Sequence, residues 1–218
     1  MVKKFWKVFL LAALMALPLR VSEASVEEHK TSAQNCKMSY PIVYVDNNQA
    51  AQDKINSDLY QYIAGFQNDY KAGKFFKGDF SYNVRYEDDK VVSLTLADFR
   101  YKEGAAHGYT YTRGLSYDKA TGERLPLYYY AKIRPEDKAL ILRQPIFDGS
   151  GKHVRRDKTF ASSRSGFNET KITDNYYMAG NGELVLIYPP YELGPYYLGT
   201  LYVHLSQDIV DYLNRKNQ

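Results

Sequence analysis

Residues Asp174 to Leu205 read DNYYMAGNGELVLIYPPYELGPYYLGTLYVHL, a strand, a tight turn, a second strand, a proline-rich corner and a third strand. Leu184, Leu186 and Tyr188 alternate as one face of a half-buried strand does. Gly180, Asn181 and Gly182 accept the positive φ that a short hairpin turn demands. Pro189 and Pro190 donate nothing to a strand ladder, so the strand breaks there. The wording is sheet-forming and crowded with tyrosine, and it carries no nucleophile motif.

Working outward, the flanks supply the rest of an α+β fold. Upstream, Phe80 to Tyr86, Val91 to Tyr101 and Tyr109 to Tyr117 form a meander, with Glu87-Asp88-Asp89 and a small-residue connection, Gly104 to Gly108, between its strands. The segment Asp118 to Gly122 turns the chain before a short strand at Glu123 to Leu127. Before the meander, Ser39 to Val45 is β-rich, and Ile55, Leu59, Ile63, Phe66 and Tyr70 form one helical stripe. Asn47 or Asn48 serves as its N-cap and Gly73 stops it. A middle helix is expected over Pro135 to Phe147, with Pro135 in its first turn. Residues 148–168 read as a mobile, basic loop, and Ser206 caps a short final helix carrying Ile209, Val210 and Leu213. Antiparallel sheets with helices at segment ends define the α+β class. Residues 25–38, polar and without periodicity, read as a flexible tail.

The first 24 residues carry an address. Lys3, Lys4 and Lys7 precede an apolar run from Val8 to Leu17, and Ser22-Glu23-Ala24 offers small residues for cleavage after Ala24. The run is about half the roughly 20 residues a bilayer span needs, so stable membrane insertion is not expected after cleavage. The destination is periplasmic or secreted. Residues 1–24 hold four of the 29 basic and one of the 25 acidic residues, which leaves 25 against 24. A near-neutral mature chain lacks the concentrated basic field of a nucleic-acid-binding protein. Cys36, the only cysteine, forms no intramolecular disulfide, and Ala33-Gln34-Asn35 before it is not a lipobox.

Two stretches together, GAAHGYTYTRGLSYDKATGERLPL (Gly104 to Leu127) and the segment quoted first, resemble the RsiV/PdaC-like extracellular domain family. The motif positions are Gly104 and His107, then Asp118 and Gly122 around Thr121, then Tyr191, Glu192, Pro195, Tyr196 and Gly199. The resemblance implies a PdaC-like subdomain over 39–103 and an RsiV-like subdomain over 104–218. It also implies an envelope-facing module, which in RsiV binds host lysozyme. An anti-sigma role is not expected, since only a few residues precede the apolar run. Nor is the deacetylase activity of PdaC-type enzymes, whose metal-binding domain has no counterpart in this sequence.

The chemistry is sparse. His29, His153 and His204 lie far apart in sequence, and no metal or cofactor is expected. There is no Gly-x-Ser-x-Gly elbow and no phosphate-cradling glycine loop. Glu192 beside tyrosines suggests a glycosidase carboxylate, but that chemistry needs a second carboxylate across a cleft. His107 and Glu192 therefore read as structural, with a cell-wall hydrolase using both as the alternative. A structural envelope accessory is the remaining option. Most of the 22 tyrosines read as rim and core packing, and the favoured reading of the chain is a non-enzymatic binding domain. Its surface would join Tyr191, Tyr196 and Tyr197 to the acidic turn Glu87-Asp88-Asp89. Its partner would be a lysozyme-type muramidase or a peptidoglycan-type glycan.

Overall fold

A computed structural model describes residues 25–218. The expected export signal lies outside the described residues. The chain opens with β1 (Val26–Ala33), β2 (Cys36–Val43), α1 (Gln49–Lys71), β3 (Lys77–Glu87), β4 (Val91–Tyr101) and β5 (Tyr109–Asp118), and its five strands form one sheet in the order β1-β2-β3-β4-β5. The second half contains α2 (Leu127–Tyr130), α3 (Lys138–Ile141), β6 (Ile146–Phe147), α4 (Arg164–Glu169), β7 (Tyr176–Gly180), β8 (Glu183–Tyr188), β9 (Leu201–Leu205) and α5 (Gln207–Lys216). Its strands form a second sheet, β6-β9-β8-β7. The fold is α+β, as the element pattern requires. No helix among the described residues is long and apolar enough to cross a membrane.

The long helix forms where its stripe lies. Asn48 caps it, its side chain accepting the Ala51 N–H at 3.2 Å. Ile55, Leu59, Ile63 and Phe66 are buried on β2 to β5 with Met38, Phe80, Leu94, Leu96, Leu115 and Tyr117. The helix also serves as a crossover, because β2 and β3 pair in parallel, and parallel neighbours need a long connection. The sheets are thus antiparallel except at that pair.

Several expectations are corrected. The flexible tail is instead β1 and the start of β2, paired antiparallel from Val26–Val43 to Ala33–Cys36. Its polar sequence suits an edge strand, where charge discourages further pairing, and so it shows no apolar period. The first sheet runs on through β5 to Asp118, past the boundary expected at 103, because β4 and β5 pair along their whole length. The middle helix shrinks to a 3₁₀ turn at Pro135–Asp137 followed by α3. Pro145 ends it, since the residue before a proline is pushed out of helical geometry, and Ile146–Phe147 pairs with β9. Of the strand expected at Glu123 to Leu127, only a bridge from Arg124 to Tyr117 forms. The loop 148–168 is largely ordered by turns and by α4, whose cap Ser163 accepts the Gly166 N–H at 3.0 Å.

The two sheets meet through polar groups. Val92 to Leu96 are all buried, so the alternation in β4 does not separate core from solvent. Leu94 and Leu96 face α1; Ser93 and Thr95 lie beneath the second sheet. Ser93 Oγ accepts the Met178 N–H at 3.0 Å and sits 2.8 Å from Ser116 Oγ. Asn175 accepts the Gly114 N–H and donates to the Thr112 carbonyl, both at 2.8 Å. Each buried polar group on this seam is thus hydrogen-bonded, as stability demands.

Candidate functional site

Two connections, one from each sheet, converge beside the seam. The first is 102–108, between β4 and β5; the second is the corner 189–199, between β8 and β9. In the corner, the Tyr191 N–H donates to Gly194 O at 3.0 Å and the Glu192 N–H to Pro189 O at 3.1 Å. Leu193 is fully buried, and its carbonyl accepts the Phe160 N–H at 2.8 Å, which ties the corner to the loop beneath. This fold holds Tyr191 at φ +73°, a left-handed conformation that costs a non-glycine residue about 1 kcal/mol or more.

The strained residue reaches the other connection. The Tyr191 hydroxyl lies 3.3 Å from His107 Nε2, and the His107 ring stacks on Tyr196 with centroids 3.7 Å apart and planes at 23°. The Tyr196 hydroxyl donates to Gly108 O at 2.7 Å, and Tyr191 and Tyr196 are themselves 5.8 Å apart. The Tyr109 hydroxyl donates to Pro190 O at 3.4 Å. Partial burial, with the Glu192 carboxylate nearby, pushes the Tyr109 phenol above its ordinary range. Partial burial likewise raises the carboxyl of Glu192.

Beside His107 opens a pocket of about 520 Å³, bounded by Asp98, Arg100, Lys102, Tyr109, Tyr111 and Arg113. It occupies the α1 face of the first sheet, where Arg100 opposes Tyr109 and Asp98 opposes Tyr111 across β4 and β5. Arg100 is neutralised by Asp98 at 2.7 Å and Asp69 at 2.6 Å. Arg113 is held between the rings of Tyr62 and Tyr111, 4.7 and 4.6 Å from their centroids. Neither Arg113 nor Lys102 has a carboxylate partner among the described residues, so the pocket offers an anion two cations and aromatic walls.

The sequence-derived surface is only partly assembled. Tyr191 and Tyr196 come together around His107, while Tyr197 is 72% exposed and stands outside the cluster. The acidic turn lies at the far end of β4, whose 11 residues span about 35 Å. Glu87 is paired with Lys119 at 2.6 Å, and Asp88 accepts the Lys90 and Val91 N–H groups and the Tyr86 hydroxyl. Glu87, Asp88 and Asp89 therefore do not share a surface with the tyrosines. No hydrogen bond or ion pair joins Glu192 to His107 among the described residues.

The motif positions have local roles. Asp118 accepts the Ala120 and Thr121 N–H groups at 2.7 and 2.9 Å, Gly104, Gly122 and Gly199 adopt positive φ, and Pro195 leads into a 3₁₀ turn at Tyr196–Leu198. Among the described residues no group of three or more His, Cys, Asp or Glu is placed to hold a metal. Sequence reasoning missed Lys102, Tyr109, Tyr111 and Arg113. The last three sit at i, i+2 and i+4 of β5, the spacing that puts side chains on one strand face, so the signal was present.

The architecture is a pair of α+β units with a loop-borne aromatic cluster where they meet. Residues 27–110 match the family model described as Deacetylase PdaC, and residues 129–208 match that described as a protein of unknown function, DUF3298. Each match covers its own segment of the chain, and together they agree with the PdaC-like, DUF3298-type resemblance that the motifs carry. A search of curated proteins gave no match. The fold is similar to the crystal structure of a DUF3298 family protein from Pseudomonas aeruginosa PAO1, with 13% identity, TM-score 0.54, and 85% of this chain and 90% of that one covered. It is also similar to a DUF3298 family member from Bacteroides fragilis, with 12% identity, TM-score 0.51, and 86% and 91% covered. At such identities the likeness extends to the fold.

Proposed function

We propose that the protein is an exported, non-enzymatic binding module of the cell envelope that takes a peptidoglycan-type glycan at the His107–Tyr191–Tyr196 cluster. The observation that carries this reading is the stacked His107–Tyr196 pair beside a pocket whose Lys102 and Arg113 lack carboxylate partners. Aromatic faces pack on the apolar faces of sugar rings, and the cations suit the carboxylates of a cell-wall strand. Strain at Tyr191 is consistent with a site fixed in advance for a ligand. A cationic lysozyme fits less well, because the acidic turn that would attract it is remote and partly neutralised. The hydrolase alternative has His107 and Glu192 unconnected, and among the described residues the carboxylate in the pocket beside His107, Asp98, is paired with Arg100.

The test is co-sedimentation with purified peptidoglycan, alongside retention on immobilised lysozyme. Wild type should pellet with peptidoglycan, and Tyr196→Ala or Arg113→Glu should stay in the supernatant while unfolding near the wild-type temperature. Failure of the wild type to pellet overturns the glycan reading, and retention on lysozyme alone would move the partner to a protein.

A further inference from the structure

A second cavity, of about 580 Å³, lies in the other half of the molecule between the segment 126–138 and the segment 168–174 and shares no lining residue with the pocket beside His107. Its volume is in the range of small-molecule sites. Leu127, Ala131, Ile133 and Ile172 supply apolar wall, and the first two belong to the second core while Ile133 and Ile172 pack against it. Such a wall is continuous with the second core. Tyr128 stands at the cavity 74% exposed.

The charged groups at this cavity are lopsided. Arg134, Lys138 and Lys171 line it against a single carboxylate, Asp174. None of the three cations forms an ion pair among the described residues. Lys138 donates to Asn168 O at 3.1 Å and lies 4.8 Å from the centre of the Phe167 ring, and Arg134 donates to Asn217 O at 3.2 Å. Lys171 is exposed. Three cations beside an apolar wall match a ligand that has a hydrocarbon body and one anionic end. A compact polyanion would satisfy the cations and leave the wall in water; a neutral hydrocarbon would do the reverse.

We propose that this cavity is a binding site for an aliphatic carboxylate of medium chain length, its chain against Leu127, Ile133 and Ile172 and its carboxylate held by Lys171 with Lys138. The site is independent of the glycan reading. The experiment is titration calorimetry on the mature chain with decanoate, decanol and decyltrimethylammonium, each below its aggregation limit. Decanoate should bind at one saturable site at least tenfold more tightly than either analogue. Lys171→Glu should weaken decanoate at least tenfold, leave decanol unchanged and leave the unfolding temperature unchanged, since the Lys171 side chain has no hydrogen-bond or ion-pair partner among the described residues. Tyr128→Ala should weaken decanoate and decanol alike. Absence of saturable decanoate binding, equal binding of the cationic analogue, or full decanoate affinity in Lys171→Glu would each overturn the proposal. Peptidoglycan sedimentation of the same variants separates the two sites: Lys171→Glu should still pellet.

Discussion

Substituting Asp137 by alanine tests how the C-terminus is held. The Asp137 side chain is completely buried, and its carboxylate accepts the Arg134 N–H at 2.9 Å, the Asn217 amide at 2.6 Å and the Lys216 ammonium. These bonds latch the end of α5 to the turn before α3. Burial pushes the carboxyl up, but Lys216, the Arg134 N–H and Asn217 together outweigh it and hold the group below the usual carboxylate range. Removing one partner of a buried pair costs about 3–5 kcal/mol. Lys216 is 39% exposed and can return to water, and Asn217 keeps its bond to Lys132 O, so the lower end applies, about 3 kcal/mol. For a domain of this size that lowers the melting temperature by roughly 6–12 °C. Because the folded-state pKa is depressed, the carboxylate's contribution is present above the unfolded value of about 3.9 and is lost as pH falls through the folded value. The gap between wild type and Asp137→Ala, measured by urea unfolding, should therefore be constant from pH 7 to about pH 5 and shrink in stronger acid. Lys216→Met should destabilise wild type and be neutral in the Asp137→Ala background. A cost at pH 7 below about 1 kcal/mol, or a gap that widens in acid, would refute the latch.

Gly114 admits no side chain, because a Cβ there would lie 1.7 Å from Tyr176 O. Gly114→Ala should cost at least about 2–3 kcal/mol in urea unfolding, whereas Gly65→Ala, in open space on α1, should stabilise by about 0.5–1 kcal/mol. Tyr191→Gly relieves the positive φ and should leave stability within about 1 kcal/mol of wild type or raise it, while peptidoglycan sedimentation is lost. Cys36 is buried at 5% exposure, and burial pushes its thiol up. It should be unreactive to a thiol reagent in native buffer and titrate as one thiol in denaturant.

The elements that declared themselves in sequence did so because one force decided them. The stripe Ile55, Leu59, Ile63, Phe66 is long enough to specify a helix whatever packs on it, and Gly180-Asn181-Gly182 satisfies a local steric demand, with all three residues at positive φ. What escaped is tertiary. The strand β1 is polar because it is an edge, and an edge strand and a loose tail have the same composition. Ser93 and Thr95 alternate with leucine as if they faced water, yet they are buried at 0% and 2% exposure beneath the second sheet. Binary pattern distinguishes apolar from polar; it cannot distinguish solvent from a hydrogen-bonded interface. The acidic turn lies away from the tyrosines for a related reason, since sequence proximity to a strand says nothing about which end of that strand a distant corner approaches.

This ambiguity bears on the candidate site itself. His107 comes from the first sheet and Tyr191 and Tyr196 from the second, so their geometry is only as fixed as the seam between the sheets. That seam is made of directional bonds, Asn175 to β5 and Ser93 to β7, with Gly114 admitting the β7 backbone to close range. A greasy interface of equal area tolerates sliding, because dispersion contacts are non-directional; a bidentate amide at 2.8 Å on both sides does not. The polar seam therefore sets the register between the halves, and a 3.7 Å ring stack across them depends on that register. On this argument the buried serines, threonines and Asn175 of the seam are positioning residues for the aromatic cluster, although none of them touches it.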